Sequence, residues 1–149
     1  MTYNQTPLQI FLADDDDDER IIFSEAIEEL KMKNELTFFN DGNHLLSYLF
    51  GPDSNLPDIL FLDLNMPYKN GLDCLKEIRA VNRFKDVSIA IYSTSSSEED
   101  IENTFIGGAN IYIKKPNDFS EMKVIKGVFQ MNWQYHTLGL NKETFFFII

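Results

Sequence analysis

The chain has little from which to build a covalent or metal-ligated framework. Its 149 residues hold one cysteine, Cys74, and two histidines, His44 and His136. A lone thiol cannot close an intrachain disulfide, and Cys74 lies in a segment of helical pattern, where a small filler residue is expected. Neither histidine stands at ligand spacing from the other or from Cys74. The 13 Lys and Arg residues are scattered and outnumbered by 24 acids, for a formal charge of −11. Such a balance repels nucleic acid and anionic membrane surfaces, so neither is expected as a partner. No run approaches the roughly 18 apolar residues of a membrane span. Residues 1–7 have neither the basic nor the apolar stretch of a signal peptide, which gives the expectation of a cytoplasmic protein with a disordered N-terminus. Repeats and low-complexity linkers are missing too. At this length one domain with one sizeable core is expected, over residues 8–136, followed by an apolar tail, 137–149.

What is present is order along the chain. Five short apolar runs read as strands, at 9–13, 35–39, 59–62, 87–93 and 111–113, several of them continuous enough to be buried on both faces. Helical segments separate them. The first, 19–32, places Ile22, Ala26, Ile27 and Leu30 on one face, with Asp17 and Asp18 as its caps. Asp41-Gly42 introduces a second helix carrying Leu45, Leu46 and Leu49, and Asn70-Gly71 a third over 72–81 with Leu75 and Ile78 inward. Ser95-Ser96-Ser97 followed by Glu98, Glu99 and Asp100 caps a fourth, which Gly107-Gly108 stops near Ile106. A fifth is expected over 119–134, with Met122, Ile125, Val128 and Phe129 inward. Alternating strands and helices with right-handed crossovers predict an α/β fold: a doubly wound, five-stranded parallel sheet of flavodoxin-like order 2-1-3-4-5.

In such sheets, sites form beyond the carboxyl ends of the strands, and the chemically able residues fall there. Strand one runs into Asp14-Asp15-Asp16-Asp17-Asp18-Glu19, and strand three into Asp63-Leu64-Asn65-Met66-Pro67. Much of an acidic run can be a solvated helix start. Asp14 and Asp15, however, follow a buried strand directly, where unpaired carboxylates repel one another unless a cation joins them. Mg²⁺, a hard ion taking oxygen ligands from separate loops, fits that need. Asp63 ends at the same edge, and a carboxylate beside Mg²⁺ can attack a phosphoryl group to give an acyl phosphate. Cations and donors for the phosphoryl oxygens are then required. Strand four delivers Ser93, followed by Thr94, and strand five delivers Lys115, followed by Pro116.

Ala13-Asp14-Asp15, Phe61-Leu62-Asp63-Leu64-Asn65-Met66-Pro67, Tyr92-Ser93-Thr94 and Tyr112-Ile113-Lys114-Lys115-Pro116 together resemble the receiver domain of bacterial response regulators, over about residues 8–135. The resemblance implies roles position by position. Asp63 matches the phosphoacceptor, Asp15 the direct Mg²⁺ ligand, and Asp14 the acid acting through metal-bound water. Asn65 would offer the ion a backbone carbonyl, with Mn²⁺ able to substitute for Mg²⁺. Lys115 matches the lysine that pairs with the phosphoryl group, on a cis bond to Pro116. Ser93 matches the phosphoryl-binding hydroxyl and Tyr112 the aromatic switch beside it, the alternative for Tyr112 being an ordinary strand residue with its hydroxyl outward. Thr94 departs from the small residue common at its position.

The function so implied is phosphorelay signalling: a non-enzymatic phosphoacceptor charged by a sensor histidine kinase or histidine phosphotransfer protein. Without a suitable histidine, the chain is not expected to be the donor itself. With no room for an output domain after the fifth helix, it is expected to act through non-covalent partners. The alternative is a degenerate receiver used as a phosphorylation-independent binding module. An aspartyl-phosphate hydrolase of the haloacid dehalogenase type needs an acid two residues beyond its nucleophile, where this chain has Asn65. The tail, uncharged over 145–149, either folds back on its own domain or joins a homodimer.

Overall fold

A computed structural model describes residues 6–115, together with Ile125, Gly127, Phe129, Phe146 and Phe147. The described elements are β1 (Leu8–Ala13), α1 (Asp17–Glu28), β2 (Asn34–Phe39), α2 (Gly42–Leu49), β3 (Ile59–Leu62), α3 (Gly71–Arg79), a 3₁₀ turn (Asn82–Phe84), β4 (Ser88–Ser93), α4 (Glu98–Ile106), β5 (Ile111–Lys114) and β6 (Phe146–Phe147). All strand pairs are parallel, in the order β2-β1-β3-β4-β5-β6. The expected five-stranded order 2-1-3-4-5 is present, and Phe146 and Phe147 add a short sixth strand beside Tyr112 and Ile113. The fifth helix falls mostly outside the described residues. Ile125, Gly127 and Phe129 are helical, with Ile125 fully buried. The expectations for residues 1–5 and for Met122 and Val128 also lie outside the described residues.

Strand periodicity sorts the core into two layers. Phe11, Ala13, Leu60, Leu62, Ile89, Ile91 and Tyr112 face α2 and α3, meeting Leu45, Leu49, Cys74, Leu75 and Ile78. Ile10, Leu12, Ile59, Phe61, Ala90, Tyr92, Ile111 and Ile113 face the other way and meet Phe23, Ala26 and Ile27 of α1. Each fully buried Leu, Ile or Phe contributes about 1.5–3 kcal/mol. These layers therefore supply the main driving force. β2 alternates half-buried and exposed residues over Asn34–Thr37, as an edge strand should, and buries only Phe39, whereas β3 is buried throughout.

Each of α1 to α4 begins on a polar side chain that accepts orphan amides. Asp16 caps α1, accepting from the N–H groups of Asp18 and Glu19, so Asp17 and Asp18 occupy the first turn rather than the expected cap. Asp41, Asn70 and Ser97 cap α2, α3 and α4. α1 stops at Glu28, short of the expected residue 32, and the chain turns back through Lys31 at φ 56°. Between α3 and β4, the half-buried Arg79 guanidinium donates to the carbonyls of Gly108, Phe84 and Val87 and to Asn110 Oδ1, at 2.8–2.9 Å. Asn110 Oδ1 also accepts the Ile89 N–H at 2.7 Å. One side chain thus ties the end of α3 to the start of β4 and the α4–β5 turn. Gly108 sits at φ 101°, a conformation that strains any L side chain, and a β-carbon there would press on Arg79 Cγ at 3.0 Å.

Two outcomes follow from this packing. Arg79→Met leaves several buried acceptors unpaired and is expected to cost about 2–4 kcal/mol, read as a lower urea midpoint with an unchanged m-value. Because β6 pairs with β5 of its own chain, truncation after Lys142 is expected to lower the unfolding midpoint without changing the mass in solution measured by light scattering.

Candidate phosphoacceptor site

The strand ladders extend one residue past the sheet, and that extension builds the site. Ala13 lies beside Leu62, and Leu62 beside Ile91. The Asp63 N–H then donates to Ala13 O at 3.0 Å, the Asp14 N–H to Phe39 O at 3.0 Å, and the Lys115 N–H to Ser93 O at 2.7 Å. Backbone bonds therefore set Asp14, Asp63, Ser93 and Lys115 at one edge. All four are buried.

Lys115 Nζ lies 2.9 Å from Asp14 Oδ2 and 3.3 Å from Asp63 Oδ2. The contact with Asp63 is a hydrogen bond, while that with Asp14 is an ion pair without hydrogen-bond geometry, leaving the buried Asp14 Oδ2 without a hydrogen-bond partner. From below, the Tyr92 ring faces the ammonium at 5.5 Å from its centroid. The other oxygen of each acid is fixed by a local turn: Asp14 Oδ1 accepts the Asp16 N–H at 3.0 Å, and Asp63 Oδ1 accepts the Asn65 N–H at 3.2 Å. Asp15 is the exposed acid of the set. Ligand atoms of Asp14, Asp15 and Asp63 all lie within 4.8 Å of one another.

Three carboxylates against one ammonium leave negative charge in excess, a donor set that suits a divalent ion. The all-oxygen chemistry and the closeness of the three acids fit Mg²⁺ or Mn²⁺. Asp63 is pushed up to about 6, first by burial and then by Asp14, against the lowering effect of Lys115. Burial alone would lower Lys115, but Asp63 and Asp14 outweigh it and hold the ammonium above its ordinary value.

The β3–α3 loop is tightly drawn. The Lys69 N–H donates to Pro67 O at 2.7 Å across Tyr68, which sits at φ 68° and is exposed, and the Gly71 N–H donates to Leu64 O at 2.9 Å. A β-carbon on Gly71 would meet the Asp63 carbonyl at 2.2 Å, so only glycine lets α3 start against the end of β3. On the opposite side, the fully buried Tyr112 points inward, its hydroxyl donating to Ser95 O at 2.8 Å. The Ser95 N–H donates to Ser93 Oγ at 3.1 Å.

The structure brings Asp14, Asp15, Asp63, Asn65, Ser93 and Lys115 together, with Tyr112 inward rather than outward. The expected cis bond to Pro116 lies outside the described residues. Sequence reasoning missed four neighbours. Glu19 is raised first by burial, with Lys115 opposing and Asp14 adding to the shift. Arg20 Nη1 donates to Asp14 O at 2.8 Å. Tyr92 and Ser95 are the others. Glu19 and Arg20 sit one helical turn beyond Asp15, the one signal that could have found them.

These features coincide with a known family. Residues 10–125 match the response regulator receiver domain, and the chain belongs to that family, the phosphorylated module of two-component signalling. Among its relatives, the probable methanogenesis regulatory protein FilR2 of Methanothrix harundinacea is 27% identical over 122 residues, 80% of this chain and 79% of that protein. Response regulator Rcp1 of Synechocystis is 25% identical over 82% of this chain and 86% of its own length. The phosphorylated cyanobacterial phytochrome response regulator RcpA superposes with a TM-score of 0.79 at 29% identity, covering 84% of this chain and 93% of that one. The Mn(2+)-bound form of Rcp1 gives 0.78 at 25% identity, over 84% and 94%.

The raised Asp63 carboxyl has a measurable consequence for the metal-free protein. Folded Asp63 keeps its proton to about pH 6, whereas the ordinary value is 3.8. The folded state therefore binds more protons in that window, and stability falls as pH rises through it. Relative to Asp63→Asn, the wild type is expected to lose roughly 2–3 kcal/mol between about pH 4 and pH 6. Added Mg²⁺ should recover much of this above pH 6, as measured by urea unfolding with and without chelator.

Proposed function

We propose that this chain is a phosphorelay receiver of the cytoplasm that accepts a phosphoryl group on Asp63 and signals by binding other proteins non-covalently. The observation carrying this reading is the buried Asp63 carboxylate, 3.3 Å from the Lys115 ammonium and grouped with Asp14 and Asp15. The donor is a phosphohistidine of a sensor kinase or phosphotransfer protein. Its N–P bond breaks as an Asp63 O–P bond forms, and the histidine leaves with its nitrogen lone pair. Asp15, Asp63 and the Asn65 carbonyl would hold Mg²⁺, with Asp14 acting through its water. When bound, the ion neutralises the excess carboxylate charge and draws phosphoryl oxygens into place.

The chain's own residues do the rest. Lys115 stabilises the charge arriving on the phosphoryl oxygens, a role its position between two acids prepares. Ser93 offers its hydroxyl to a phosphoryl oxygen. The ladder bonds hold both residues before reaction, so little reorganisation is needed. Reaction requires the charged carboxylate, which at neutral pH the raised Asp63 still supplies. The protein modifies itself rather than a separate substrate, and in that sense is not an enzyme. For docking the donor, the groove of about 470 Å³ lined by Asp17, Arg20, Ile21, Ser24, Glu25 and Phe38 borders the acidic end of α1, with Ile21 56% exposed.

Incubation with Mg²⁺ and acetyl phosphate is expected to add the mass of one phosphoryl group, read by intact-mass spectrometry at neutral pH. Asp63→Asn should abolish the addition, and Lys115→Ala should slow it at least tenfold. No addition to the wild type, under conditions that label another receiver, would leave the binding-module reading in its place.

A further inference from the structure

Among the described residues, the Lys115 ammonium meets two carboxylates and one aromatic ring. Asp14 and Asp63 lie at 2.9 and 3.3 Å. The ring is that of Tyr92, over which Nζ sits 5.5 Å from the centroid. Glu19, half-buried on α1, adds negative charge at longer range. A cation this close to a ring face is drawn to the negative side of its quadrupole, most strongly where both are out of water. Both are: Tyr92 is fully buried, and the Lys115 side chain is 6% exposed. Burial, and then Glu19, Asp14 and Asp63, push the Tyr92 phenol well above its ordinary value, so the ring stays neutral.

The ring is itself held. Tyr92 is the penultimate residue of β4, on the face that α1 covers, and its centroid lies 5.6 Å from Phe23 of α1 and 6.2 Å from Phe61 of β3, at 67° and 86°. Phe23 and Phe61 meet each other at 4.8 Å and 68°. Each pair has the edge-to-face geometry that aromatic quadrupoles favour, and all three rings are fully buried. The strands that lead to Asp63 and Ser93 thus also carry the floor beneath the ammonium. Its neighbours differ in what phosphorylation does to them. A divalent ion at Asp14, Asp15 and Asp63 would draw on the same carboxylate charge that Lys115 uses. An acyl phosphate on Asp63 moves negative charge from the carboxylate to the phosphoryl oxygens. Neither event alters the ring.

We infer that Tyr92 is a positioning residue for phosphoryl transfer, its ring face being the fixed wall against which the Lys115 ammonium stays while the charges on Asp14 and Asp63 are redistributed. This rests on the phosphoacceptor reading and adds to that site a residue that acts through Lys115 rather than on the reacting atoms. Between two acids alone, the ammonium would follow whichever carboxylate kept more charge. Against the ring it stays where the phosphoryl oxygens arrive, and little reorganisation is left for the reaction. The role needs the π face of the ring, not its hydroxyl and not its volume alone.

The test uses the full chain with Mg²⁺ and acetyl phosphate, the rate of mass addition being read by intact-mass spectrometry. Tyr92→Phe keeps the π face and is expected to react within about twofold of the wild type. The same phenylalanine ring carrying one, two or three fluorines, introduced at position 92 by nonsense suppression, keeps nearly the same shape while its face loses negative charge step by step. The logarithm of the rate is expected to fall in proportion, to about three- to tenfold below Tyr92→Phe with three fluorines. Tyr92→Leu should lose at least as much. If the ring only fills space, the fluorine series is flat. That result, a Tyr92→Leu protein labelled at the wild-type rate, or a Tyr92→Phe protein as slow as the trifluorinated one, overturns the positioning role. The series decides the matter even if Tyr92→Leu fails to fold, since the fluorinated rings fill the same space. A wild type that takes no label overturns the phosphoacceptor reading itself, whereas a labelled wild type with a flat series overturns the part of Tyr92 alone.

Discussion

The site depends on one ammonium. Lys115 is buried between Asp14 and Asp63, and without it two carboxylates would face each other below the surface with no positive charge between them. Burying an isolated charge costs several kcal/mol even after relaxation, and removing one partner of a buried pair is more damaging than never having built it. Yet the pairing is incomplete. One positive charge serves two buried acids and the nearby Asp15, and Asp63, raised first by burial and then by Asp14, stands at about 6 despite its lysine. The residual repulsion leaves a site that a cation would stabilise. A fully neutralised cluster would be more stable and chemically inert.

That constraint reaches into the fold through register. Side chains on three strands and a loop can converge on one ammonium only if β1, β3, β4 and β5 end in step. The bonds from Asp63 to Ala13 and from Lys115 to Ser93 show the ladders continuing until they do. A slip of one residue in β5 would turn Lys115 to the other face and replace Tyr112 with Ile113 against α4. The two core layers guard against it, since such a slip would also exchange their apolar sets.

Much of this could be read from the chain. Continuous apolar runs marked the buried strands, Asp, Asn and Ser marked the helix starts, and Asp14, Asp15, Asp63, Ser93 and Lys115 all stood where strands end. The cap of α1 was misplaced, at Asp17 and Asp18 rather than Asp16, because five consecutive aspartates offer no contrast by which one can be singled out. The early end of α1 at Glu28 and the turn through Lys31 gave no signal, since Lys31, Met32 and Lys33 suit a helix. Tertiary partners were equally silent. Nothing local to Arg79 announces four acceptors, all five to 31 residues away along the chain and all neutral. Ser95 read only as part of a capping region, because its contacts with Ser93 and Tyr112 exist only once β4 and β5 lie side by side.

The alternation of strand residues also separates what enters the site from what leaves it. Tyr92 and Tyr112 are both fully buried, but on opposite faces of the sheet. Tyr92 packs edge-on against Phe23 and Phe61 beneath Lys115, in the layer that α1 closes. A ring wedged among other rings can hold the ammonium but has little room to change place. Tyr112 lies in the other layer, and its hydroxyl reaches the loop carbonyl of Ser95. Loops can shift by small amounts where close-packed layers cannot. Among the described residues, the β4–α4 loop is the softer border of the site. The α1 side is firmly seated on Phe23, Ala26 and Ile27.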